Sequence, residues 1–334
     1  MAAVTGWGRP PSESAAGWPG WAVLDVETSG FRPDRARVLS IAVLALDVDG
    51  QVERSVVSLL NPGVDPGPTH VHGLTAEMLA GAPRFSDIVG EVAEVLHGRT
   101  LVAHNAAFDY AFVTAEAELV GAALPVDTVM CTVDLARRLD LGLDNLRLET
   151  LAAHLQVPQS KAHDALDDAL VLSRVLDPML RRARERDVWL PVRPVSRQRW
   201  PNGHVTHAAL EPLKKWAARQ PGPFVNPGRY VPGRPLVQGM RVALAPECTR
   251  RHDELVERLL HAGLAYSDAV DAQTSLVLCN DPRPAQGKGF TAVESGVPLL
   301  GDAEFLAALS AVRPGVAVEE FIDTTPAAVQ GALF

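Results

Sequence analysis

The chain has 334 residues, of which 47% are hydrophobic and 21% charged, and its formal net charge is −9 at pH 7. This length accommodates two domains. No apolar run is long enough to cross a bilayer, which excludes a membrane-spanning function and predicts no membrane partner. The cysteines Cys131, Cys248 and Cys279 have neither disulfide nor zinc-binding spacing, which is typical of a cytoplasmic protein and predicts no chemistry for them.

Charge is unevenly distributed along the chain. Between Arg181 and Arg234 there are twelve Lys or Arg residues and three acids, a local charge of +9, so the rest of the chain carries −18. A basic segment beside an acidic body fits a protein that binds a polyanion and holds cations with carboxylates. Aromatic residues among these basic ones could stack on bases, or they could pin a long connection onto a domain; they are Trp189, Trp200, Trp216 and Tyr230.

Changes in composition divide the chain into five segments. Residues 1–20 are rich in Gly, Pro, Ser and Ala and lack the continuous apolar core of a signal peptide, so they predict a flexible N-terminus. The other four segments are a first domain over 21–186, a basic Pro-rich linker over 187–235, a small second domain over 236–312 and a flexible tail over 313–334.

The first domain is predicted to begin with three antiparallel strands. The first contains Val23–Thr28, and two more cover Val38–Leu46 and Val52–Leu60, with a turn at Asp47–Gly50. A short buried strand at Thr100–Ala103 follows a helix that begins near Ser86. The segment after this strand is predicted to enter a helix that ends at Glu118. Further helices are predicted near 132–139 and 148–155, and from about 164 to 186. A hairpin-rich start followed by mixed strands and helices predicts an α/β domain with a mixed sheet.

Two acids lie on one side of the first strand. Side chains alternate across a strand, so Asp25 and Glu27 project to one face, and Leu24 and Val26 to the other. Paired carboxylates repel each other unless a proton or a cation separates them, and hard cations prefer oxygen ligands. Taken alone, this segment also fits an edge strand with two solvated acids.

A second polar cluster follows the strand Thr100–Ala103. His104 and Asn105 can hydrogen-bond a phosphate or a sugar, and Phe108 can stack on a base. Asp109 adds a third acid. An Asn-initiated helix with Phe108 in the core is the structural alternative.

A third cluster marks the start of the long helix. Asp164 is the predicted N-cap, because Asp167 lies three residues further on. His163 then lies in the loop before the helix and could swing over a site. Asp168 lies in the rigid first turns.

Together the three clusters resemble the motifs of the DEDDh family of 3′→5′ exonucleases, which includes the proofreading epsilon subunit of bacterial DNA polymerase III. The motif Asp-x-Glu-Thr-x-Gly matches Asp25, Glu27, Thr28 and Gly30, His-Asn-x-x-Phe-Asp matches His104, Asn105, Phe108 and Asp109, and His-x4-Asp matches His163 and Asp168. The segment His72-Gly73-Leu74-Thr75 resembles a His-Gly-Ile-Thr segment that lies near the terminal nucleotide in the family.

The resemblance implies a ribonuclease H-like mixed-sheet domain and assigns roles to its residues. The implied ligands of two Mg²⁺ or Mn²⁺ ions are Asp25, Glu27, Asp109 and Asp168. His163 is the implied general base, and the His-x4-Asp spacing selects Asp168 rather than Asp167. The implied substrate-binding residues are Thr28, His72, His104, Asn105 and Phe108.

The second domain resembles a BRCT domain, a small α/β module. The resemblance rests on predicted strands at 240–244, 275–279 and 297–300 and predicted helices at 253–261, 290–295 and 303–311. Phe305 stands where the family usually has a tryptophan. Some BRCT domains bind phosphopeptides and others bind DNA ends or proteins, so we expect a docking module and assign no phosphopeptide binding to Lys288.

The chain ends in Gln330-Gly331-Ala332-Leu333-Phe334, which resembles the Gln-x-x-Leu-Phe peptide by which bacterial replication and repair proteins bind the sliding clamp. Gln330 would fix the register, and Leu333 and Phe334 would insert into a groove. A tail that packs on its own domain is the alternative. Clamp binding would raise the local concentration of the protein at primer ends.

These features predict a metal-dependent 3′→5′ exonuclease that hydrolyses DNA to nucleoside 5′-monophosphates in replication proofreading or repair. The expected partners are single-stranded or frayed DNA 3′ ends, the clamp, and a protein or DNA partner of the second domain. The expected location is the bacterial cytoplasm, at the nucleoid. Two alternatives remain at this stage: an exoribonuclease that trims RNA, and a non-catalytic adaptor between DNA ends and the clamp.

Overall fold

The computed structural model describes residues 20–195, 197–199, 205–207 and 213–318. These residues belong to two compact units, which divide between residues 210 and 211. Most of the predicted N-terminal segment and of the tail, including Gln330, Leu333 and Phe334, lies outside the described residues, as does Trp200.

A six-stranded mixed sheet forms the centre of the first unit. Its strands are β1 Trp21–Thr28, β2 Val38–Leu46, β3 Val52–Leu59, β4 Thr100–Ala103, β5 Thr128–Cys131 and β6 Val192–Pro194, in the order β3-β2-β1-β4-β5-β6. The first three strands are antiparallel, β1, β4 and β5 are parallel, and β6 is antiparallel to β5. The predicted antiparallel start and the mixed sheet are confirmed, and the arrangement fits a ribonuclease H-like exonuclease domain.

Helices cover both faces of this sheet. They are α1 Thr69–His72, α2 Ala76–Leu79, α3 Phe85–Leu96, α4 Ala106–Leu119, α5 Thr132–Leu139, α6 Leu148–His154 and α7 Ala165–Glu185. A separate two-stranded ribbon pairs β7 Arg197–Arg199 with β8 Val205–His207. The helices α3 and α4 bury one face of the sheet, and α5, α6 and α7 bury the other.

The alternation of β1 determines where its acids point. Leu24 and Val26 lie in the core beneath α3 and α4, whereas Trp21 and Val23 lie in the core on the α7 side. Because the side-chain period of a strand is two residues, Asp25 and Glu27 continue the row on the α7 side. The acids therefore come at the carboxyl end of β1, where the apolar row stops.

The structure adds two strands to the six-stranded sheet that the sequence pattern did not predict. One of them, β5, has only four residues and directly precedes a helix, which leaves too few positions for a visible period. The other, β6, lies in the segment predicted as linker, and the residues before it are buried, with Trp189 8% exposed. Prolines at 191 and 194 made a strand improbable there, but an edge strand tolerates proline because one of its sides needs no ladder hydrogen bonds.

The second unit is a small α/β domain with a four-stranded parallel sheet. Its elements are α8 Leu213–Arg219, β9 Arg241–Leu244, α9 His252–His261, β10 Ala265–Ser267, β11 Leu276–Leu278, α10 Gly287–Glu294, β12 Leu299–Leu300 and α11 Asp302–Ala308, followed by a 3-10 turn at Leu309–Ala311. The strand order is β10-β9-β11-β12. The sequence predicted β9, β11 and β12 but not β10. Phe305 is fully buried.

Among the described residues, no helix is both long and apolar enough to span a membrane.

Candidate active site

Four carboxylates from three elements converge at the carboxyl end of β1. Asp25 and Glu27 come from β1, Asp109 from the first turn of α4, and Asp168 from the first turn of α7. Burial raises the pKa of the Asp25 carboxyl, and the other three acids are close enough to raise it further. The pairing of β1 with β2 shifts register between Glu27 and Thr28, where β2 has one extra residue; such irregularities are common beside functional sites.

Asp109 reaches the cluster because β4 is shorter than β1. The pairing of β4 with β1 runs from Trp21 to Val23, and α4 begins three residues after β4 ends. Asp109 is 3% exposed. Burial raises its pKa to about 8, although hydrogen bonds with its own backbone and with that of Val26 act in the opposite direction.

Glu27, His163 and Asp168 form the tightest group in the site. One potential ligand atom from each of the three side chains lies within 4.8 Å of the other two. Asp168 is 9% exposed, Glu27 is partly buried and His163 is exposed. This is an open-sided group with an imidazole at its outer edge.

The loop before α7 is held by the same acid that belongs to the cluster. Asp168 accepts hydrogen bonds from Gln159 Nε2 at 2.6 Å and from the backbone amide of His163 at 3.0 Å. His163 itself adopts a left-handed conformation with φ +61°, which is uncommon outside glycine and is typical of functional loops. The backbone of His163 is thus fixed to Asp168 while its ring remains at the surface.

The neighbouring acids Asp164 and Asp167 have structural contacts. Asp164 caps α7 as predicted, accepting a hydrogen bond from the Asp167 amide. The Asp167 carboxylate accepts hydrogen bonds from the amides of Ser160 and Lys161, at 3.0 and 2.7 Å. Asp167 therefore holds the loop, whereas Asp168 faces the cluster.

Burial, with a further contribution from neighbouring acids, raises the pKa values of the carboxyls at the site. Burial raises the pKa of Glu27 to about 7, and the charges of Asp168 and Asp164 contribute; the pKa of Asp168 is also raised by burial. Carboxylates packed together in this way are the oxygen-rich donor set that Mg²⁺ and Mn²⁺ prefer. The residues present therefore fit divalent cations.

Two predicted substrate-binding residues, Thr28 and His72, are engaged in contacts within the protein. Thr28 is buried, and its hydroxyl donates to the carbonyl of Gly30 at 2.7 Å. His72 is 4% exposed, and both of its ring nitrogens are engaged, Nε2 with the Pro66 carbonyl at 3.2 Å and Nδ1 with the Leu74 amide at 3.0 Å. In this arrangement His72 has no ring nitrogen left for a substrate.

The residues around the start of α4 are more accessible. Asn105 is exposed and has φ +71°. His104 Nδ1 lies 3.0 Å from the Thr132 hydroxyl. Phe108 is partly buried, with its ring centroid 4.8 Å from that of Phe112, so it packs on the core with one part of its surface and leaves another part exposed.

Sequence reasoning missed three supports of the site. Gln159 holds Asp168, as described above. Glu116 of α4 is buried and forms a bidentate ion pair with Arg37 at 2.8 and 2.7 Å, which ties α4 to the start of β2. At Gly67 an added Cβ would lie 2.2 Å from the Ser29 carbonyl oxygen. Isolated polar residues and glycines give no periodic signal, so only the fold reveals these contacts.

Residues 22–176 match the family described as Exonuclease (RNase_T). The epsilon subunit of DNA polymerase III from Escherichia coli is 32% identical over 166 residues, which cover 46% of this chain and 68% of that protein. The corresponding subunit from Treponema pallidum is 29% identical over 196 residues, or 58% of this chain and 84% of the relative.

A longer relative contains the same region. The PolC-type DNA polymerase III from Clostridium perfringens is 31% identical over 167 residues, which cover 49% of this chain but only 11% of the polymerase. The similarity thus concerns the first unit, which carries the four carboxylates.

Proposed function

The chain belongs to the family of 3′→5′ exonucleases, and from that premise we propose that it hydrolyses DNA from the 3′ end and releases nucleoside 5′-monophosphates in proofreading or repair. The observation that carries the proposal is the convergence of four carboxylates and an exposed histidine at the end of β1. A protein that only bound DNA ends would not need four acids facing a polyanion. The adaptor alternative has no comparable support.

We assign Asp25, Glu27, Asp109 and Asp168 as ligands of two Mg²⁺ or Mn²⁺ ions. Such ions supply charge stabilisation for the attacking and leaving oxygens of an in-line phosphodiester displacement. The protein's own contribution is a fixed geometry: β1, α4 and α7 are packed on one sheet, so the carboxylates are held before the substrate binds.

His163 is the proposed general base. Its ring is exposed beside Glu27 and Asp168, where it can take a proton from the attacking water. The neutral imidazole accepts that proton, and the water oxygen attacks phosphorus as the 3′ oxygen of the next nucleotide leaves. The hydrogen bond from the His163 amide to Asp168 keeps the loop in place for this step.

Thr28, His104, Asn105 and Phe108 remain proposed substrate contacts. The exposed Asn105 and the accessible part of Phe108 support a role in binding the terminal nucleotide through hydrogen bonding and stacking. For His72 the contacts support a different role, in which its ring braces the loop of residues 66–74 beside Ser29 and Gly30.

DNA is favoured over RNA because the three relatives described above are named as DNA polymerase III or as its epsilon subunit. The clamp-like tail, in the sequence outside the described residues, supports the same choice. An exoribonuclease remains the alternative, since the four acids do not distinguish the two sugars.

We also propose that the second unit is a BRCT-like docking module for a protein or DNA partner. The support is a parallel four-stranded sheet with its first strand in the interior, in the order β10-β9-β11-β12, and a closing helix that buries Phe305. Lys288 lies 3.5 Å from Asp268, so its charge is partly compensated, which does not favour phosphopeptide binding.

Matched DNA and RNA oligonucleotides test the substrate. The full chain is incubated with equal amounts of both in Mg²⁺ or Mn²⁺, and the released nucleoside monophosphates are separated by chromatography. Deoxynucleoside 5′-monophosphates should be released in excess. An excess of ribonucleotides would favour the exoribonuclease, and no release from either would favour the adaptor.

A further inference from the structure

A cavity of about 370 Å³ lies beside the start of α4, on the side of β5 and β6. Its walls are partly apolar, with contributions from Val129, Val133 and Pro191. Its polar lining consists of Asn105, Asp134, Arg137 and Arg193. A concave site of this size with a few converging polar groups is typical of small-ligand pockets.

The charges in this cavity favour an anion. Arg193 and Arg137 both contact Asp134, at 3.2 and 2.9 Å, so two guanidinium groups share one carboxylate. The Nε atom of Arg193 is buried and has no hydrogen-bond partner among the described residues. The Arg193 side chain as a whole is 21% exposed, so a ligand in the cavity would meet the rest of its guanidinium group, which shares a single carboxylate with Arg137.

The cavity and the four carboxylates lie at the same end of the strands, the carboxyl end of β1, β4 and β5. Strands β1, β4 and β5 are parallel, so their carboxyl ends lie together, where ligands of such sheets bind. Asn105 and Ala107 line the cavity, and Asp109 follows two residues later. Neighbouring strands are ~4.8 Å apart, which places β5 on the order of 10 Å from β1.

We propose that this cavity binds an internal nucleotide of the single strand whose 3′ end occupies the active site. Arg193 and Arg137 bind its backbone phosphate, as guanidinium groups do in charge-assisted pairs, and the apolar wall contacts its base or sugar. The proposal rests on the proposed exonuclease function. It also gives a role to β6, which brings part of the basic segment to the site.

The test compares a long and a short substrate. The long one is a single-stranded octadeoxynucleotide, and the short one is the p-nitrophenyl ester of thymidine 5′-monophosphate, which fills only the terminal site. The variant is Arg193→Gln with Arg137→Gln. The matched control is Arg54→Gln, because Arg54 forms an exposed ion pair with Glu94 on β3, at the opposite edge of the sheet.

The expected result is a rise of ~10-fold or more in KM for the octamer, with a ratio of octamer to ester efficiency that falls by the same factor. In EDTA, binding of the octamer by the double variant should also depend less on salt than binding by the wild type. Each lost phosphate contact reduces the slope of log K against log salt by ~0.7. Arg193→Lys should retain part of the slope because it keeps the charge.

Three outcomes separate the proposals. An equal loss on both substrates, or no loss relative to Arg54→Gln, would overturn the internal subsite while leaving the exonuclease intact. A wild-type protein that hydrolyses neither substrate would instead overturn the proposed function. Melting temperatures of the variants identify any misfolding, and in that case Arg193→Lys decides the question.

Discussion

At the scale of single residues, the acids at the end of β1 are held close together against their mutual repulsion. Burial raises the pKa of Asp109 to about 8 and that of Glu27 to about 7. A protein without bound cations is destabilised by such a cluster. The site is thus arranged for binding cations at a cost in stability.

Asp25→Asn should therefore have opposite effects on activity and on stability. Turnover should fall by ~10²-fold or more, as when other electrostatic stabilisers of a transition state are removed. In EDTA the free energy of unfolding should rise, because burial and the neighbouring acids both disfavour an ionised carboxyl at this position. Denaturant unfolding and a turnover assay measure the two effects.

Asp49→Asn is the matched control, since Asp49 is an exposed acid in the turn between β2 and β3. It should change neither quantity. If Asp25→Asn destabilised the metal-free protein, the repulsion argument would fail.

Metal stabilisation should grow as pH rises. The carboxyls of Glu27 and Asp109 have folded-state pKa values above their usual 4.5 and 3.8, so between about pH 4 and pH 8 the metal-free folded state holds more protons than the unfolded state. These two groups therefore stabilise the metal-free folded state at low pH, and that stabilisation is lost as pH rises through their folded-state pKa values.

Cations replace those protons, so the gain in melting temperature with saturating Mg²⁺ over EDTA should be small at pH 5 and large at pH 8. Taking the difference between Mg²⁺ and EDTA at each pH removes contributions from groups outside the site. A gain in melting temperature that is constant with pH, or that declines as pH rises, would contradict the replacement of protons by cations at these carboxyls.

Residue types and spacing were sufficient to find the candidate residues, because each acid lies at a fixed distance from a strand end or a helix cap. Spacing could not show that Gln159 and the His163 amide hydrogen-bond Asp168. It also could not show that both ring nitrogens of His72 are engaged. Such contacts depend on how loops close, which has no period in the sequence.

At the scale of elements, the loop after β1 is held by close backbone packing. Gly67 approaches the Ser29 carbonyl so closely that a Cβ would lie 2.2 Å away. Ser29 follows Glu27 by two residues, and its amide bonds the Arg37 carbonyl at 2.9 Å. The loop 66–74 therefore supports the first pair of acids.

Gly67→Ala should displace this loop and reduce turnover by at least ~10-fold, because small misplacements of catalytic groups are costly. Gly63→Ala is the matched control, since both glycines have φ +75° but nothing lies within 4 Å of the Cβ position at Gly63. The two variants share the backbone strain and differ in the clash. Equal turnover in both would show that the clash does not reach the active site.

The longest elements that the sequence predicted are those with a clear apolar pattern. The fully buried β2 and the long α7 are predicted by apolar runs and a cap. The short β5, β6 and β10 pair with neighbours on the strength of tertiary packing, which overrides local preference. Prolines at 191 and 194 obscured β6 in particular.

At the scale of the whole molecule, each unit of the chain has its own sheet and core. The proposed tail motif adds a third feature, which the sequence alone carries. Leu333→Ala with Phe334→Ala in the full chain should abolish binding to a bacterial sliding clamp, because two apolar anchors supply most of the contact in such peptides.

Val329→Ala is the control for the tail, since it lies one residue before the motif. Surface plasmon resonance with immobilised clamp measures the binding. Hydrolysis of short free oligonucleotides should be unchanged in both variants. Equal clamp binding by the wild type and the double variant would remove the motif from the account.

The most direct test of the central claim follows a 5′-labelled single-stranded DNA over time, with the wild type and Asp25→Asn, each in Mg²⁺ and in EDTA. A ladder that shortens from the 3′ end is expected only with the wild type in Mg²⁺. A ladder that persists in EDTA or in Asp25→Asn, or the immediate release of a labelled mononucleotide from the 5′ end, would contradict a carboxylate-bound, metal-dependent 3′→5′ exonuclease.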